Sequence, residues 1–239
     1  MTNLYLPKEI DIGILSETEL ILLNTLWGLF LNYPGPDKQR VRFVKALVFS
    51  YKQHTKTHRK SGETYFIHDL RLTVQALLSG ADLSVAIIML SHEFKEDDAW
   101  TYHRLAMNFG KEIAIIVCAA SKPPATFATR EERLDAYLDQ MRQAMAKDGS
   151  WWKILFEKLF DRHDNVHDTA GLNARTKRIL FTETEQKLLP FFHEHLSLIP
   201  PSLLKYCQRA IFEIEYACAN YRQSLVCKKR KSQRLARLT

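Results

Sequence analysis

Leu83 to Asp97, LSVAIIMLSHEFKED, is the stretch on which the reading of this chain turns. Val85 to Leu90 is an apolar run without alternation, which predicts a buried helix. Continued at 3.6 residues per turn to Asp97, that helix carries His92, Glu93, Glu96 and Asp97 on one side. An imidazole and three carboxylates at the end of an apolar segment repel one another and are costly to desolvate. A divalent cation is the simplest compensation, and a solvated helix end is the plain alternative.

On both sides of this segment the periodicity is helical. Ser16 and Glu19 form a capping box ahead of the apolar run Leu20 to Leu31, which Tyr33-Pro34-Gly35-Pro36 ends. A second helix is predicted from about Lys38 to His54, with Val41, Phe43, Val44, Leu47 and Val48 inward. The polar loop Thr55 to Thr64 follows, and its Gly62 permits a tight turn beside Arg59, Lys60 and Ser61, a set suited to an anionic ligand. A helix beginning near His68 carries Leu70, Val74, Leu77 and Leu78 and stops at Gly80.

Beyond Asp97, helices are predicted for Trp100 to Asn108, Ile113 to Ala119 and the amphipathic Glu131 to Lys147. Trp151 to Phe160 reads as a short apolar helix ending in Asp161-Arg162-His163-Asp164-Asn165, in which Asp161 and Asn165 share a face. Arg175 to Leu188 and Ser202 to about Leu225 complete the set. With no clean strand alternation, the fold class expected is all-α.

The 239 residues are 46% hydrophobic and 26% charged, in the range of globular proteins. No apolar run approaches the roughly 20 residues that cross a bilayer, so no membrane partner is expected. Cys118, Cys207, Cys218 and Cys227 show no CxxC spacing, which reads as reduced thiols in a cytoplasmic protein. The net charge of +7 is concentrated in the tail, at Lys228, Lys229, Arg230, Lys231, Arg234 and Arg237. Such a run can touch nucleic acid, but the plainer reading is a solvated terminus.

His68, the His92-Glu93 pair and Asp161 stand in the order His, His-acid, Asp, which resembles the HD superfamily of metal-dependent phosphohydrolases. The flanks sharpen this. RKSGETYFIH (Arg59 to His68) is similar to the RKSGEPYIxH signature of the RelA/SpoT hydrolase domain, and His54 matches the histidine before it. Glu96-Asp97 matches the family's ED pair, and Phe109-Gly110 and Ser121-Lys122 fall where it has FG and TK. Met145 to Asp148, Lys158 to Arg162 with Asn165, and Arg178-Ile179 with Glu183-Thr184 and Pro190 resemble its later motifs in order. Several motifs in one order are far more specific than any one of them. The resemblance is closest to the small alarmone hydrolases, which consist of the hydrolase domain alone.

The resemblance implies an HD-domain helical bundle with a single metal site. Its ligands would be His68, His92, Glu93 and Asp161, holding Mn²⁺ or another divalent transition metal. It implies Glu96 and Asp97 as the catalytic pair, and Arg59, Lys60, Ser61 and Asn165 as contacts to a small-molecule nucleotide. The reaction implied is removal of the 3′-pyrophosphate from ppGpp or pppGpp, giving GDP or GTP. The chain departs from the pattern at Glu93, an aspartate in the family, at Asp69 in place of proline, and at Phe160 in place of a small residue. These leave open another ribose-phosphorylated nucleotide such as ppApp or NADPH, or a degenerate protein that binds without turnover. The domain division expected is an N-terminal helical lead over 1–37, the phosphohydrolase domain over 38–199, and a C-terminal helix and basic tail over 200–239. Nothing in the sequence fixes an oligomeric state.

Overall fold

The computed structural model describes residues 6–97, 100–123, 126–147 and 151–235, without the side chains of Glu96, Asp97 and 228–235. Helices dominate throughout. In chain order they are α1 (Glu17–Leu31), α2 (Asp37–His54), α3 (Tyr65–Leu78), α4 (Leu83–Ser91), α5 (Phe94–Asp97), α6 (Tyr102–Phe109) and α7 (Lys111–Ala120). They continue with α8 (Arg130–Met145), α9 (Trp152–His167), α10 (Ala174–Glu183), α11 (Leu189–His195) and α12 (Pro201–Leu235). There is no strand among the described residues, only an isolated bridge between His58 and Thr64. The all-α expectation holds.

The hydrophobic effect puts α4 at the centre, since all nine of its residues are buried. It packs on α2, α3, α7 and α9. The capping box of Ser16 and Glu19 forms as expected, and α1 lays Leu23, Leu26, Trp27 and Phe30 into the core against α3. On α2 the predicted Phe43 and Leu47 are buried, joined by Ala46, Ser50, Tyr51 and His54, and Val44 and Val48 are half-buried against the core. Val41 is exposed, because the buried face is centred one position earlier in each turn than expected. Leu78 is exposed as well, at the last turn of α3.

Two helix boundaries differ from expectation in ways that shape the site. Leu83 to Asp97 is not one helix: the chain leaves α4 at Ser91, turns at His92-Glu93 and resumes as α5. The cause is local. His92 Nδ1 lies 2.8 Å from the Met89 carbonyl, the acceptor that the Glu93 amide would use in a continuing helix. Ser91 Oγ donates to the Ile87 carbonyl at 2.7 Å in the same turn. Phe94 then anchors the new direction, packed at a tilt against Trp100 and Phe109 with no exposed surface.

Conversely, α9 does not end at Phe160 but runs on through Asp161 to His167. Its polar residues stay helical because Asp161 and Asp164 face inward toward partners. The predicted helix Arg175 to Leu188 is α10 followed by one π turn, Thr184 to Leu188. The helix α12 is longer than expected; it buries Leu203, Cys207, Ile211, Ile214 and Cys218 and packs on α9. No helix among the described residues is long and apolar enough to cross a membrane.

Candidate metal centre and nucleotide cleft

Four side chains from three parts of the chain converge: His68 from the first turn of α3, His92 and Glu93 from the turn after α4, and Asp161 from α9. One ligand atom of each lies within 4.8 Å of the others. His68 Nε2 and His92 Nε2 face each other at 3.3 Å, Asp161 Oδ1 is 3.4 Å from His68 Nε2, and Glu93 Oε1 is 3.4 Å from His92 Nε2. The outer nitrogens are already engaged. His68 Nδ1 donates to Asp164 Oδ2 at 2.7 Å, and His92 Nδ1 to the Met89 carbonyl. In neutral rings, both Nε2 lone pairs therefore point into the same space, which is the arrangement a cation needs. Two imidazoles and two carboxylates without thiolate fit a divalent transition ion such as Mn²⁺. The break after Ser91 also makes room for Glu93, whose extra methylene does not have to be accommodated along a rigid helix.

The electrostatics carry the same message. Burial acts to lower the pKa of His92, but the hydrogen bond and charge of Glu93 override it and push it up to about 10. Burial works likewise against His68, where hydrogen bonds to Asp161 and Asp164 raise it. Burial would raise Glu93, yet His92 and Lys122 hold it well below the carboxylate range. Without an ion, then, protons on the imidazoles compensate the carboxylates. The raised His92 contributes stability that is complete below the ordinary histidine value of 6.5 and is lost as pH climbs through about 10. Metal-free protein should accordingly lose stability between about pH 7 and 10, while metal-loaded protein, in which the ion replaces those protons, should not. Urea midpoints with chelator and with Mn²⁺ test this, and parallel profiles would refute it.

Behind the ligands lies a layer that the sequence reading missed. Asp69, noted only as a departure from the family proline, is fully buried and accepts from Ser50 Oγ and His54 Nδ1 at 2.5 Å each. Its other oxygen is 4.0 Å from His92 Nδ1. Asp164 accepts from Arg71 Nε at 2.7 Å and from Arg59 Nη1 at 2.8 Å as well as from His68. Lys158 Nζ sits 3.5 Å from Asp161 and 3.3 Å from Glu157. Asp164 and Glu157 carry no motif in the sequence, and only the inward face of α9 reveals them.

Beside the cluster opens a cleft of about 460 Å³ that reaches Glu93 and Asp161 and is walled by the cations Arg59, Lys122, Arg130, Arg133, Lys158 and Arg162. A second compartment of about 270 Å³ adjoins it, bordered by Lys60, Ser61 and Asp168 and by the apolar Leu172, Ile179 and Leu180. Arg59, Tyr65, Arg130 and Asn165 border both. All four residues expected to contact a nucleotide thus line this double cleft. Arg59, however, is not a free cation: it donates to Asp164, Asp168 and Asn165, and Ser61 Oγ donates to Asp168 at 2.6 Å. Asn165 Nδ2 in turn donates to Asp161 at 2.7 Å, joining the loop to the cluster. Glu96 and Asp97 belong to α5, but their side chains lie outside the described residues. His163 turns away from the cluster to Glu213 on α12.

The loop 55–64 is held down by shape as well as charge. The position a Cβ would take on Gly171 is 2.3 Å from the Lys60 carbonyl. Gly171→Ala must therefore push the loop away from the turn that follows α9, at a cost of about 1–3 kcal/mol. A lowered melting temperature and faster proteolysis within residues 55–64 would register it; a parent-like melt would show that the contact yields freely.

No protein-family model matches the chain. Curated relatives do. A guanosine-3′,5′-bis(diphosphate) 3′-pyrophosphohydrolase of Aquifex aeolicus is 27% identical over 175 residues, 73% of this chain and 24% of that protein. A GTP pyrophosphokinase of Myxococcus xanthus is 30% identical over 158 residues, 64% and 20% of the two. The bifunctional (p)ppGpp synthase/hydrolase SpoT of Escherichia coli K12 is 26% identical over 159 residues, 66% and 22%. The chain thus spans about a quarter or less of the length of these relatives. The solved structure of a metazoan SpoT ortholog, described as hydrolysing ppGpp, superposes with a TM-score of 0.54 at 17% identity, covering 76% of this chain and 96% of that one. The helical fold is accordingly that of this SpoT ortholog. The sequence resemblance is to the RelA/SpoT-type hydrolase domain.

Proposed function

We propose that this chain is a Mn²⁺-dependent pyrophosphohydrolase that removes the 3′-pyrophosphate of ppGpp or pppGpp, leaving GDP or GTP. The observation that carries the reading is the His68, His92, Glu93 and Asp161 cluster opening directly into a cation-walled cleft. The names of the curated relatives support it but do not decide it alone, since they include a pyrophosphokinase as well as hydrolases.

A divalent ion bound at the cluster supplies Lewis acidity at the scissile phosphate and lowers the pKa of a coordinated water. The protein does the rest. Lys122, Lys158 and Arg162 neutralise the pyrophosphate as the water oxygen bonds to its phosphorus and the bond to the ribose 3′ oxygen breaks, that oxygen leaving as a hydroxyl with the proton the water gives up. Leu172, Ile179 and Leu180 take the apolar faces of the base in the neighbouring compartment. Asn165 bridges the two regions and orients Asp161, while Glu96 and Asp97 serve as the pair that positions water and takes its proton. Arg59 acts as a strut under the nucleotide loop, since its guanidinium is committed to Asp164, Asp168 and Asn165. The four free, scattered cysteines support a cytoplasmic setting.

Metal content and product analysis on one preparation test the proposal. About one Mn²⁺-like ion per chain is expected, with GDP and pyrophosphate released from ppGpp. A panel including ppApp and NADPH distinguishes the substrates. Tight ppGpp binding without release of pyrophosphate from ppGpp or ppApp, or of phosphate from NADPH, would replace the hydrolase with a binding protein.

A further inference from the structure

A ligand lying across both compartments of the cleft passes Arg59, Tyr65, Arg130 and Asn165. Of the two arginines, Arg59 is committed to three partners and its side chain is only 10% exposed. Arg130 is different in every respect. Its side chain is 69% exposed, and among the described residues it has a single ion-pair partner, Glu183, whose two oxygens accept from Nε and, at 3.0 Å, from Nη2. Nη1 donates no hydrogen bond among the described residues. Arg130 is also the first residue of α8, where a cation opposes the helix dipole and Glu131 and Glu132 already provide the favourable charge. Helix stability gives no reason for an arginine there.

We infer that Arg130 is a phosphate-binding arm of the cleft, and that Glu183 is an internal anion holding it until a ligand arrives. The inference rests on the phosphohydrolase reading and adds a residue and a competition to it. Glu183 is the fixed member, 17% exposed at the end of α10 where the chain enters its π turn. Its carboxylate presents two oxygens to the guanidinium fork, the geometry a phosphate also offers. A pair this exposed is weak, so a phosphate with more charge displaces or joins it readily. Arg130 lies where the compartment walled by cations meets the apolar one, so the phosphate it takes is one bonded to the sugar between them.

The two halves of the pair should then respond in opposite directions. Arg130→Gln is expected to raise KM for ppGpp about 10–100-fold, the range lost with one charge-assisted hydrogen bond, while kcat changes less than about threefold. Glu183→Gln is expected to lower KM, because it removes a competing charge. The exchange Arg130→Glu with Glu183→Arg rebuilds the pair but puts the anion on the open side, so it should keep the melting temperature and still fail in KM. An unchanged KM in Arg130→Gln, a KM that moves the same way in both single variants, or recovery of KM in the exchange would overturn the assignment and leave a structural strap. A parent that neither cleaves nor binds ppGpp would instead remove the phosphohydrolase reading and this inference together.

Discussion

His92→Ala is expected to empty the cluster of its ion and to slow pyrophosphate release from ppGpp by more than ~1000-fold. His92 Nε2 faces both His68 and Glu93, at 3.3 Å and 3.4 Å, so its loss takes away the donor around which the other ligands are set. It also frees the Met89 carbonyl and removes the constraint that breaks the helix, so Glu93 loses its place as well. Metal analysis of the purified variant, beside parent treated with chelator and reloaded, provides the readout. Metal-free parent is the proper stability control, because both lack the ion. An undiminished metal stoichiometry in His92→Ala would show that the cluster is not the binding site.

The second large effect concerns the chemical step. The Glu96→Gln, Asp97→Asn double variant should keep metal and ppGpp yet release pyrophosphate at least ~100-fold more slowly, the range typical of general acid–base groups. These residues close α5, the short helix that leads away from Glu93. Replacing both carboxylates by amides keeps size and hydrogen-bonding capacity, so folding should hardly change. Binding can even tighten, because two charges that repel a polyphosphate are gone. Equilibrium dialysis with ppGpp and a pyrophosphate assay on the same sample separate the two effects. Full-rate turnover would relocate the proton transfer to another group.

How far the site was legible in the sequence depended on which kind of signal marked each residue. His68, His92, Glu93 and Asp161 could be read because their chemistry is rare in apolar surroundings and their order matched a known set of motifs. The turn at His92-Glu93 could not, since LSHEFKED contains no glycine or proline. That break comes from a side chain taking a backbone acceptor, which depends on the rotamer and not on propensity. Asp164 and Asp168 were passed over for a related reason. Acids after an apolar run usually mark a solvated helix end, and nothing local says that Arg59 and Arg71, roughly a hundred residues earlier, come to meet them. Val41 failed more simply: on α2 either of two adjacent stripes satisfies the helical period, and packing on α4 chose the other.

The contacts of Arg59 with Asp164, Asp168 and Asn165 join positions 105 to 109 residues apart in the chain. In folding terms they are a late closure. Bringing such distant segments together carries the loop entropy of most of the domain, and ion pairs formed at the end repay little of it. The apolar packing of α4 against α2, α3 and α9 must therefore come first, and the cleft orders on a scaffold already formed. On warming, the sequence runs backward: the loop 55–64 is released while the core persists. Activity in this chain should fade over a range of temperature in which its helical content is still intact.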